Sequence, residues 1–185
     1  MMTIVEVGDL LISHIALRDG WFDGTVVLIL DADPSGVLGV VLNRLADVSL
    51  ESVLPQWTDL VSEPAVLYSG GPVSPNGAIC LASPVADDEP PGWRRVFDRV
   101  GLLHLDTPVE LVAGAYDHIR IYAGYAGWSA GQLESELSRD AWFVASARYD
   151  DIFGLDHEHL WRSVLRRQKP EVALWSTWTE HPEQN

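Results

Sequence analysis

Gly127-Trp128-Ser129-Ala130-Gly131 has the form G-x-S-x-G. Between a strand and a helix, that spacing can lift a serine onto a sharp turn as a nucleophile. Ser129 has a competing use. Gln132 stands three residues on, as in a capping box, where the hydroxyl accepts from a backbone N–H and the amide side chain reaches back. Asp140, Asp150, Asp156, His157, His159 and His181 could complete an acid–histidine pair, but only by abundance. We read Ser129 as a helix cap and assign no catalytic residue.

Anion binding is a second chemistry, written in three places. Successive N–H groups of Gly70-Gly71-Pro72 can form a nest. A helix start at Ser129 to Gln132 adds positive potential. Arg44, beside Asn43, can clamp a phosphate or carboxylate through two parallel N–H donors. If the three converge, Asn43, Arg44, Gly70, Gly71, Ser129 and Gln132 form a glycine-cornered pocket for a small anionic metabolite or nucleotide. Tyr125 and Trp128 would then be its aromatic walls. The same residues also have structural uses: glycines for tight corners, Asn43 for backbone bonds, Arg44 for an ion pair.

Other reactive side chains carry less. His157 and His159 are two apart and do not share a helix face as an i, i+4 metal pair would, so they read as surface residues and no metal set is assigned. Cys80 lies in an apolar strand and reads as a buried structural thiol. No cofactor is called for.

These groups must be placed by the elements around them. Residues 8–13, 25–30 and 37–42 read as strands, the last two joined by Asp33-Pro34-Ser35-Gly36, which has the residues of a type I turn. The 25–30 run is apolar on both sides, as in a strand buried on both faces. Ser49 caps a short helix, and 65–68 and 78–82 are strands. The acidic stretch 84–93 reads as an exposed, mobile loop; 96–98 and 101–105 are short strands; 109–113 is ambiguous. The strand 119–123 ends at a glycine corner, Gly124 to Gly127, and a helix follows with Leu133 and Leu137 inward. Residues 142–147 form a strand, Ile152-Phe153 a short extended piece, and Asp156 caps a helix to about Gln168. The tail 170–185 docks through Trp175 and Trp178. Hairpins mixed with a few helices argue for a single α+β domain over 1–185.

The charge limits the partners. The 185 residues carry a formal −15, and 47% are apolar, enough for a sizeable core. Nucleic-acid affinity comes mainly from basic groups meeting phosphates, so direct nucleic-acid binding is disfavoured and a basic protein partner is favoured. No run is long and apolar enough to span a bilayer, and the first residues lack the pattern of a signal peptide. One cysteine makes no internal disulfide, so the expected place is the cytoplasm.

Several of these pieces, in this order, resemble the bacterial YqgE/AlgH family. They are Gly8-Asp9-Leu10-Leu11-Ile12, Phe22 with Thr25-Val26-Val27, Gly39 to Arg44, Gly70-Gly71-Pro72-Val73, Gly124 to Trp128 with Gly131-Gln132-Leu133-Glu134, Trp142, and Leu160-Trp161. The ending Leu160 to Gln168 is similar to the actinobacterial branch. The resemblance implies a branched, mixed or antiparallel sheet curled into a pseudo-barrel with helices packed outside. It also implies a cytosolic protein. Members are often labelled transcriptional regulators, through a genetic link to alginate production. On this reading the chain is a non-enzymatic binding or regulatory protein acting through a protein partner or a small anionic ligand; the alternative is an enzyme or anion-binding protein using the glycine-cornered pocket. The acidic loop after Pro84 and the segment before Ile119 depart from common family forms.

Overall fold

Apolar residues on both faces of most strands force one sheet to be covered twice. The computed structural model describes residues 4–17, 20–179 and 182–184; the candidate His181 and the loop residues Arg18 and Asp19 lie outside them. The strands are β1 (Asp9–Ser13), β2 (Val26–Asp33), β3 (Gly36–Val41), β4 (Leu67–Ser69), β5 (Val73–Pro84), β6 (Trp93–Phe97), β7 (Val100–Leu103), β8 (Tyr116–Ser129) and β9 (Trp142–Ser146). Eight run in the order β6-β7-β5-β8-β3-β2-β1-β9, and β4 joins β8 as a branch. The β4–β8 pair is parallel, while every other pairing is antiparallel. The sheet curls into a half-barrel, so the expected α+β class and branched sheet are found.

The helices are short: α1 (Leu50–Val53), α2 (Val109–Val112), α3 (Gln132–Ser138), α4 (Tyr149–Phe153), α5 (Leu160–Arg166) and α6 (Pro170–Ala173). The inner face of the sheet buries Leu10, Leu28, Val40, Tyr68, Leu81 and Tyr122 beneath α4 and α5. The outer face is divided. Leu11, Val27, Val41 and Trp128 pack with Leu133 of α3 on one half. Cys80, Ile119 and Ile121 pack with Leu50 of α1 and Val112 of α2 on the other.

Several boundaries differ from the sequence reading, each for a tertiary reason. The strand expected to stop at Ala123 runs on to Ser129, because β3 pairs with its second half from Gly36↔Ser129 to Gly39↔Ala126. Gly124, at φ +73°, kinks that strand without ending it. Ile152 and Phe153 are helical rather than extended. Asp151 closes that turn by accepting from the Arg148 N–H at 2.7 Å. Val109–Val112 is helical. The helix expected over 156–168 is narrower, because Asp156 caps only the preceding turn through the His159 N–H. In the tail, the Trp175 ring lies 4.8 Å from that of His14. Ser49 caps α1 by accepting from the Ser52 N–H at 3.2 Å.

Candidate functional site

The glycine-marked places meet at the fork of the sheet. Ser69 N–H donates to the Arg44 carbonyl, Gly70 N–H donates to that of Ala123, and Gly70 accepts from Val41 N–H. Gly70 thus ends β4 and passes its neighbours to one another, so that β3 can pair directly with β8 beyond this point. No side chain fits there. A Cβ on Gly70 would lie 2.4 Å from the Gly124 carbonyl oxygen, and one on Gly71 would lie 2.0 Å from that of Tyr125. The glycines let backbones cross.

Asn43 and Arg44 face the other way, toward the 20–24 loop. Asn43 accepts from Val26 N–H at 2.9 Å and donates to the Gly24 carbonyl at 2.8 Å. Arg44 donates to the Trp21 carbonyl and, at 3.4 Å, to that of Asp23, with its guanidinium 4.3 Å from the Trp21 ring centroid.

Ser129 ends β8, four residues beyond Tyr125, and Gln132 opens α3. Gln132 does reach back, accepting from Ser129 N–H at 3.0 Å and from the Ser129 hydroxyl at 3.2 Å. The cap itself is Gly131, at φ +79°, and not Ser129. The serine hydroxyl therefore fills half of the expected box in reverse, as donor. Trp128 is buried, and its indole N–H donates to Glu136 Oε2 at 2.9 Å beside that of Trp142 at 2.8 Å. Tyr125, half-buried, lies on the strand next to Gly71. Backbone contacts thus bring Arg44, Gly70, Gly71 and Tyr125 together at the fork, while Asn43 bonds toward Gly24 and Val26 and Ser129 and Gln132 stand apart.

Two features were missed by the sequence reading. The first is a cavity of about 550 Å³ lined by Ala78, Ile79, Leu102, Leu105, Arg94 and His104, among others. It opens because β5 outruns β7. The two strands pair only over Cys80–Ala82 against Gly101–Leu103, so Ala78 and Ile79 have no strand beside them on that side among the described residues; before them β5 departs from regular pairing between Val73 and Ala78, with Ser74 at φ +47°. A second hollow of about 370 Å³ continues past Gly92 and His104 to Pro108 and Leu111. Cys80 forms part of the floor, buried, and burial pushes its thiol well up.

The second feature is a buried polar cluster of Arg120, Tyr68, Tyr122 and His157. Arg120 is only 2% exposed. His157 is half-buried with both ring nitrogens enclosed, not a surface residue as expected. The pattern Ile119-Arg120-Ile121 suggests an outward arginine, but both faces of this strand are covered. His159 is exposed and pairs with Asp156 at 2.7 Å. Among the described residues, no three His, Cys, Asp or Glu side chains gather as a metal set.

A family profile described as AlgH-like matches residues 10–173, and the chain belongs to that family. A UPF0301 protein from Streptomyces avermitilis is 46% identical over 182 residues, covering 96% of this chain and 94% of the relative. Another from Thermobifida fusca is 41% identical over 187 residues, with coverages of 96% and 94%. A crystal structure of a Corynebacterium diphtheriae protein matches with a TM-score of 0.89 at 26% identity, over 96% of this chain and 95% of that one. The solution structure of the AlgH protein from Pseudomonas aeruginosa matches with a TM-score of 0.71 at 26% identity, over 98% of both. Among the described residues, no helix is long and apolar enough to cross a membrane.

Proposed function

We propose that this chain is a non-enzymatic binding protein with a regulatory role in the cytoplasm, and that its ligand is an extended, basic segment of a protein partner. One observation carries the reading: the unpartnered edge of β5 at Ala78 and Ile79 borders an apolar-floored cavity. An exposed strand edge offers backbone donors and acceptors to an incoming strand, and pockets beside it select alternate side chains. Ile79, Leu102 and Leu105 supply the apolar floor. Asp106, Glu110 and the acidic loop at Asp87, Asp88 and Glu89 are exposed nearby, and the chain carries −15 overall, which favours a basic segment.

The test is selection of peptides from a displayed library alternating apolar and Lys/Arg residues, followed by fluorescence anisotropy. Binders should weaken at least about fivefold in Asp106→Lys and be lost in Leu105→Asp, with salt sensitivity to match. Failure to select any binder, or binders indifferent to both substitutions, would remove the reading.

A further inference from the structure

Arg120 sits on the inner face of β8, two residues before Tyr122, so the two side chains share that face. Tyr68 lies opposite Tyr122 in the parallel β4–β8 register, and their ring centroids are 5.3 Å apart. The Arg120 guanidinium is 5.3 Å from the Tyr68 ring centroid, and the His157 ring meets Tyr68 edge-on at 5.5 Å. Four polar side chains from β4, β8 and the loop between α4 and α5 thus meet inside the half-barrel.

Their hydrogen bonding is incomplete in a consistent way. The two terminal nitrogens of Arg120 cap the end of α4, donating to the carbonyls of Ile152 and, at 2.6 Å, Gly154. That accounts for two groups. Arg120 Nε, the Tyr68 and Tyr122 hydroxyls and both His157 ring nitrogens are buried and make no well-formed hydrogen bond within the protein, although the Tyr122 hydroxyl lies against the Arg120 guanidinium. A buried orphan polar group costs about 1–3 kcal/mol, so five in one place need an occupant or an explanation. The charge is also open: none of the ion pairs among the described residues includes Arg120. Carbonyl dipoles and a ring face offset a buried cation only in part. The groups left over are rich in donors: the guanidinium Nε–H, two phenolic O–H groups and an imidazole N–H.

We propose that Arg120, Tyr68, Tyr122 and His157 form an internal binding site for one small anion, a carboxylate group or a halide. A water molecule could satisfy some of these donors but would leave the positive charge uncompensated; an anion answers both. The 154–159 loop covers the cluster and supplies His157 to it. Leu155, Asp156 and Glu158 are exposed there, and the Gly154 carbonyl that closes the loop onto the core is itself held by Arg120. This site lies on the opposite face of the sheet from Cys80 and is independent of the β5 edge.

The experiment uses the full chain in sodium gluconate, a bulky organic anion, with ionic strength held fixed. Formate, chloride or phosphate then replaces gluconate stepwise while the melting temperature is followed. A small anion that binds only the folded form raises the melting temperature in a saturable way. We expect such a rise with formate or chloride and none with phosphate. The double variant Tyr68→Phe, Tyr122→Phe keeps the packing and Arg120 but removes both hydroxyls. Its apparent affinity should fall more than about tenfold, as hydrogen bonds to a charged group predict. No anion-dependent rise in the native chain, or the same rise in the double variant, would overturn the proposal. Arg120→Met serves as a second variant: if it folds, it should show no saturable response at all.

Discussion

Arg44 stacks on Trp21 and hydrogen-bonds to the carbonyl of the same residue, so one side chain grips both the ring and the backbone of the 20–24 loop. A guanidinium can do this because its flat face meets the ring while its edge donates. Arg44→Ala should destabilise the protein by about 1–3 kcal/mol, the sum of a cation–π contact and carbonyl bonds. Arg44→Lys should recover less than half. Urea denaturation of the three proteins measures both. A loss below about 0.5 kcal/mol would mean that the grip contributes nothing to stability.

The fork gives a sharper contrast between glycines. Gly71→Ala should cost more than about 3 kcal/mol or prevent folding, because the added methyl would meet the Tyr125 carbonyl carbon and oxygen, both 2.0 Å away. Gly131→Ala has nothing within 4 Å of its Cβ and should cost only the left-handed backbone strain, about 1–2 kcal/mol. Comparable losses at the two positions, measured by chemical denaturation, would contradict the account of the fork.

Glu136 joins two tryptophans through one carboxylate oxygen. Glu136→Leu leaves two indole N–H groups unpaired at a half-buried site. The expected loss is about 1–3 kcal/mol, because solvent reaches part of the cluster. Glu136→Gln retains an acceptor oxygen and should lose less. Stability by urea and the wavelength of tryptophan emission report the change together.

The core thiol predicts a pH dependence. Burial raises the folded pKa of Cys80, while the unfolded thiol titrates near its ordinary value, about 8.5. The contribution is fully present below that value. As pH rises above it, the unfolded state loses its proton first and stability falls. Between pH 8 and pH 10 the loss should be about 2 kcal/mol, and Cys80→Ala should remove that part of the slope. Tyr68 and Tyr122, also raised by burial, add a further loss at higher pH with the same sign. A native chain whose stability between those two pH values matches that of Cys80→Ala would refute the assignment.

The strands were legible in the sequence where they were apolar on both sides, as at Thr25 to Leu30. Ser49 was legible because a cap needs only its own neighbours. The long reach of β8 was not, since what carries it past Gly124 is a partner strand ninety residues earlier in the chain. Arg120 was missed for a related reason. Alternation marks two faces but does not say that both are buried, and an arginine between isoleucines looks solvent-facing until α4 and α5 cover it. The edge of β5 was hidden too, because it depends on where β7 stops.

The alternation along β8 also limits how this protein can change over evolutionary time. Over residues 119–122, before the Gly124 kink, its odd and even positions feed different cores: Arg120 and Tyr122 turn inward, while Ile119 and Ile121 turn out toward α1 and α2. Insertion or deletion of a single residue there would exchange the two sets and press a guanidinium against the tryptophan-lined outer core. Loops such as 85–91 can drift in length, but this strand must keep its count, so relatives should differ in substitutions along it and not in gaps.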